Sequence, residues 1–156
     1  MHPEYQFESH YIEIDGHRLH YLDEGEGDVI VMVHGNPTWS FYYRNVISLL
    51  RKSHRVLALD NLGCGYSEKP QDYPYTLQDH IDNLAEFLHS LAIKRCSLVV
   101  HDWGGAIGFG YAMNNIAAIQ KIVVLNTAAF RSSRIPKRIS LCKTPLIGEL
   151  IVRACN

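Results

Sequence analysis

Apolar positions along this chain follow two periods, and their order predicts an architecture. From Tyr11 to Gly25, YIEIDGHRLHYLDEG alternates apolar and polar residues about Asp15-Gly16. That is the pattern of a β-hairpin closed by a tight turn. Four later runs are almost continuously apolar: DVIVMVHG (28–35), HRVLALDNLG (54–63), CSLVVHD (96–102) and KIVVLNT (121–127). Such runs suit strands buried on both faces, as in a parallel sheet. Helical patterns separate them, over 38–52, 76–91 and 104–114. In the second, Thr76 stands as N-cap with Asp79 three residues on, and Ile81, Leu84, Leu88 and Leu91 share one face. The order predicts an α/β fold: a mostly parallel sheet, an antiparallel N-terminal hairpin, and helices on both faces. Residues 1–127 form this core. Residues 128–156 are basic and helical in pattern, broken by Pro136 and Pro145, and read as the start of a helical cap.

Composition narrows the function classes. A chain of 156 residues predicts one domain. The net charge of −1 and the lack of a basic block argue against nucleic acid as a partner. No apolar run approaches the ~18 residues a membrane span needs, so no membrane insertion is expected. The N-terminus lacks a basic start followed by an apolar stretch, so no secretory signal is read there. Cys64, Cys96, Cys142 and Cys155 are scattered, with no CxxC pair. They read as free thiols in a reducing compartment, hence a cytoplasmic location, and give no metal site.

Three strand ends carry chemistry, where open α/β sheets bind ligands. After the third apolar run comes HDWGG (101–105). Asp102 there reads either as a helix N-cap or as a nucleophile. The nucleophile reading rests on the strand–turn–helix corner, which projects one side chain above the sheet with glycines behind it. The Trp103 N–H, at a helix N-terminus, would stabilise adjacent negative charge. After the first apolar run comes HGNPTW (34–39). Asn36 reads singly as a turn residue and Trp103 as core; together they could supply an amide and an indole donor to one anion. The third, DNLGCGYSEKP (60–70), has Gly63 and Gly65 but Glu68 where a dinucleotide fingerprint needs glycine. No nucleotide cofactor is expected. This stretch reads as a tight loop beside the site, with Asp60 and Ser67 bonding the backbone.

HGNPTWSFYYR, ALDNLGCGYSEKP and VVHDWGGAIGFGYA together resemble the haloalkane dehalogenase branch of the α/β-hydrolase superfamily, in the family's order and through essentially the whole chain. The resemblance implies Asp102 as covalent nucleophile, and Asn36 with the Trp103 indole as holders of the leaving halide. It implies a small apolar substrate, a halide ion as product, and no cofactor. The chain is also similar to β-lactone decarboxylases of long-chain olefin synthesis, which keep the same Asp, Asn and Trp. Epoxide hydrolases share the HDWGG turn but usually carry an aromatic residue at the position of Asn36.

The superfamily orders its triad nucleophile, acid, histidine. All nine histidines here (2, 10, 17, 20, 34, 54, 80, 89, 101) precede Asp102, and position 126, where some dehalogenases carry the acid, is Asn. His34 and His101 belong to the turn motifs and read as structural. The expectation is therefore the N-terminal half of a longer hydrolase. Such a piece would form an ester at Asp102 without hydrolysing it, and would leave an apolar strand edge at 121–127. The non-enzyme alternative is an inactive fragment that retains an anion pocket.

Overall fold

The computed structural model describes residues 4–127 and the isolated Thr144. The described residues run through six strands, β1 (His10–Ile14), β2 (His17–Glu24), β3 (Val29–Val33), β4 (Arg55–Leu59), β5 (Cys96–His101) and β6 (Ile119–Leu125). Three α-helices, α1 (Arg44–Leu50), α2 (Leu77–Ser90) and α3 (Trp103–Asn114), connect the later strands. The six strands form one sheet in the order β1-β2-β4-β3-β5-β6. β1, β2 and β4 pair antiparallel, whereas β4, β3, β5 and β6 run parallel. The mostly parallel sheet with its N-terminal hairpin is thus the architecture the apolar runs predicted. The hairpin turns at Asp15 and Gly16, which take φ of 49° and 75°.

The parallel strands divide their side chains between two cores. Val31, Val33, Leu57, Leu59, Leu98 and Val100 face α2 and α3. Met32, Val56, Ala58 and Val99 face Tyr43 and Ile47 on the other side. The period of 2 along a strand makes that division, and apolar cover on both faces explains why these strands read as unbroken apolar runs. α2 starts at the capping box expected: Thr76 accepts from the Asp79 N–H, and the Asp79 carboxylate accepts from the Thr76 N–H at 2.7 Å.

One helix differs from its sequence pattern. Residues 38–52 do not make a single α-helix; a 3₁₀ turn at Ser40–Tyr43 precedes α1. The Ser40 N–H is taken by the Asp60 carboxylate at 2.7 Å, which ties the start of the segment to the end of β4 and leaves a tighter first turn. The expected helical cap, 128–156, lies outside the described residues except for the isolated Thr144. Among those described, β6 pairs only with β5, and Val123 and Val124 on it are about half exposed.

The sheet order fixes where a site can form. From β3 the chain crosses to β4 on one side, and then returns past β3 to β5 on the other. A crevice opens at such a switch point, outside the carboxyl ends of the strands. Here those ends belong to β3 and β5, with Val33 opposite Val100. Residues just beyond each, Asn36 and Asp102, are thereby brought together across 66 positions of sequence.

Candidate active site

Asp102 sits on the corner between β5 and α3 with φ 52° and ψ −129°. This is a left-handed conformation that costs a non-glycine residue ~1–3 kcal/mol. Its side chain makes no capping hydrogen bond to α3, so the side-chain N-cap reading falls. The backbone does that work: the Asp102 carbonyl accepts from the Gly105 N–H at 3.0 Å and from the Thr127 hydroxyl at 2.6 Å. The carboxylate is left to accept from the Asn36 N–H, at 3.0 Å to Oδ1.

Three glycines make the corner possible. A Cβ at Gly35 would overlap the Asp102 side chain, one at Gly104 the Val33 carbonyl oxygen, and one at Gly105 the Thr127 side chain. α3 therefore starts pressed against the end of β3 at the switch point, and of its first N–H groups, which lack the usual partner four residues back, that of Gly105 is taken by the Asp102 carbonyl.

His34 anchors the loop that carries Asn36. It is fully buried. Its Nδ1–H donates to the Gly35 carbonyl at 2.7 Å, and its Nε2 accepts from the Asn61 N–H at 2.8 Å. The Asn61 amide returns a bond to the His34 carbonyl at 3.1 Å. Burial pushes the His34 pKa below the ordinary histidine value, so the neutral ring these bonds require is the stable one. The loop after β3 is thus fastened to the loop after β4, and His34 is structural as its motif suggested. The other flanking histidine, His101, stacks on Tyr42 with ring centroids 4.2 Å apart.

Asp60 organises the opposite wall. Its Oδ1 accepts from the Ser40 N–H, and its Oδ2 accepts from the Tyr66 N–H and the His20 Nδ1–H, both at 2.9 Å. Burial alone would raise its pKa, but the hydrogen bonds from His20, Ser40 and Tyr66 outweigh it and hold the carboxylate below its ordinary value. Ser67 donates to the Asp60 carbonyl at 2.5 Å. These are the backbone bonds expected of Asp60 and Ser67, and with them the Gly63–Cys64–Gly65 turn is set beside the site.

A cavity of about 260 Å³ lies between these walls, lined by Asn36, Asn61, Cys64, His80, Trp103 and Ile107 among others. The structure thus places Asn36 and Trp103 on one cavity and joins Asp102 to it through the Asn36 N–H. Trp103 is 53% exposed, which excludes the core reading of that residue. His80 was not singled out in the sequence. It sits in the first turn of α2 among polar residues, and only the tertiary packing turns it toward the cavity. Among the described residues no group of three His, Cys, Asp or Glu side chains could hold a metal ion, and no helix is long and apolar enough to cross a membrane.

Comparison with known proteins agrees with this fold. The family model for the alpha/beta hydrolase fold matches residues 28–141, and the chain belongs to that family. Within it, the chain is 46% identical to the cis-3-alkyl-4-alkyloxetan-2-one decarboxylase of Shewanella oneidensis, over 96% of this chain and 49% of that protein. It is 40% identical to haloalkane dehalogenase 2 of Mycobacterium bovis, over 79% of this chain and 43% of that one. The crystal structure of haloalkane dehalogenase DatA from Agrobacterium tumefaciens superposes with a TM-score of 0.82 at 27% identity, over 97% of this chain and 55% of DatA. The chain spans about half the length of the curated relatives it matches.

Proposed function

We propose that the protein is an enzyme in which the Asp102 carboxylate attacks a small apolar electrophile, and that this electrophile is a cis-3,4-dialkyl oxetan-2-one. The observation that carries the first part is the strained corner at Asp102, with a side chain that does not cap α3 and is oriented by the Asn36 N–H. Strain held at one residue of a cleft is a sign of function rather than of packing. The second part is supported by the 46% identity to a decarboxylase of such lactones across nearly the whole chain.

The chemistry balances without a co-reactant. An Asp102 oxygen bonds to ring carbon 4, and the carbon–oxygen bond of the ring breaks toward oxygen, leaving a carboxylate on carbon 3. The bond from carbon 3 to that carboxylate then breaks, and its electron pair forms the alkene. The ester bond to Asp102 breaks in the same step, CO₂ departs, and Asp102 is again a carboxylate. Inversion at carbon 4 followed by anti elimination delivers the cis alkene. Asn36, the Trp103 indole and the N–H groups opening α3 stabilise the charge that moves to the leaving oxygen. One such donor is worth ~3 kcal/mol in comparable sites.

A second reading is favoured by the dehalogenase relative and the DatA superposition. In it the same ester forms on a haloalkane, Asn36 and Trp103 receive the halide, and water must then cleave the ester. Assay with a cis-3,4-dialkyl oxetan-2-one and with a 1-bromoalkane separates the two. Equal release of CO₂ and cis alkene supports the lactone; halide release without lactone turnover supports the haloalkane. Activity that survives Asp102→Ala on both substrates overturns the nucleophile.

A further inference from the structure

His80 borders the same cavity as Asn36 and Trp103, and the mechanism above does not use it. Its Nδ1 is sealed from solvent and has no hydrogen-bond partner among the described residues. A buried nitrogen without a partner is tolerated better as a bare acceptor than as an orphaned N–H. The ring proton therefore belongs on Nε2, the remaining polar edge of a ring that lines the cavity. Burial lowers the His80 pKa, more than the neighbouring Asp79 carboxylate raises it. The ring is neutral, a donor without a full charge. The Tyr75 ring lies 6.3 Å away between centroids and its hydroxyl is engaged by the Pro70 carbonyl at 2.8 Å, so Tyr75 does not compete for the cavity.

Three residues with donor side chains, from three separate elements, line this one cavity: Asn36 after β3, Trp103 at the start of α3, and His80 on α2. Two suffice for a monatomic halide. A carboxylate carries two oxygens and accepts up to about four bonds. We propose that His80 is a specificity-determining residue that selects an oxygen leaving group, its Nε2–H donating to the carboxylate released when Asp102 opens a lactone. The inference rests on the lactone reading. A neutral donor suits that step, because an imidazolium would hold the carboxylate as an ion pair and oppose its loss as CO₂.

The test is anion binding in an Asp102→Asn background, neutral at that position as the ester is. Calorimetric titration with hexanoate and with bromide is compared before and after His80→Phe and His80→Gln. His80→Phe is expected to weaken hexanoate about tenfold, the worth of one hydrogen bond of ~1.4 kcal/mol, and to leave bromide within about twofold; His80→Gln, which keeps a donor, recovers part of the loss. Unchanged hexanoate affinity, or equal weakening of both anions, overturns the proposal. Imidazole ¹⁵N spectra of the unsubstituted protein give an answer that needs no variant: a neutral Nε2–H tautomer is expected, and an Nδ1–H tautomer overturns it. Activity surviving Asp102→Ala would refute the nucleophile while leaving these binding results to stand or fall alone.

Discussion

The Asn36 backbone N–H donates to Asp102 Oδ1 at 3.0 Å, across 66 residues of sequence. The bond exists because β3 and β5 are neighbours at the switch point of the sheet, and because Gly35 leaves room for the aspartate. It orients one carboxylate oxygen and leaves the other outside that bond. Gly35→Ala is expected to displace the Asp102 side chain and slow ester formation about a hundredfold, the usual cost of misplacing a reacting group by about 1 Å. Single-turnover adduct formation measured by intact mass checks this.

The strain at Asp102 predicts an opposition between stability and activity. Asp102→Gly relieves a φ of 52° and is expected to stabilise the fold by ~1 kcal/mol while abolishing the reaction. Thermal unfolding beside an activity assay reads both. A loss of stability in Asp102→Gly would mean the corner stores no strain.

At the start of α3 the constraint is steric. A Cβ at Gly104 overlaps the Val33 carbonyl, so Gly104→Ala must push α3 off the end of β3. Overpacking of this kind costs ~1–3 kcal/mol. Chemical denaturation is expected to show a lower midpoint with an unchanged slope.

Two groups predict the acid limb of stability. The Asp60 pKa is lowered in the folded protein from an ordinary value of 3.8. Its contribution is complete above that value and is lost as pH falls through the lower folded one. The His34 pKa is lowered from 6.5. The unfolded chain therefore takes up a proton first, and stability declines as pH drops below 6.5 toward the folded value. Asp60→Asn is expected to cost about 3 kcal/mol at pH 7, since it leaves a buried network broken, and to flatten the loss below pH 4. His34→Gln is expected to be less stable at pH 7.5 and to lose less between pH 6.5 and 5. Melting temperatures across pH 3–8 decide both.

Much of the fold was legible in the chain because its strands are buried on both faces, so their sequences are nearly pure apolar runs, and because α2 announces itself through Thr76 and Asp79. The break at Ser40–Tyr43 was not, since it depends on a carboxylate 20 residues away claiming one N–H. Asp102, Asn36 and Trp103 were legible as a set through the three loaded strand ends. Their sequence could not exclude a side-chain cap at Asp102; the absence of that hydrogen bond in the structure does. His80 was not legible, because a sealed nitrogen without a partner among the described residues is a property of packing.

Rapid acid quench during turnover of the lactone or of a 1-bromoalkane, followed by proteolysis and peptide mass analysis, reads out whether Asp102 bonds covalently to substrate. The expected result is a peptide containing Asp102 that is heavier by the ring-opened lactone or by the alkyl group, and absent in Asp102→Ala. Turnover with no adduct on that peptide, or an adduct on another residue, would contradict it.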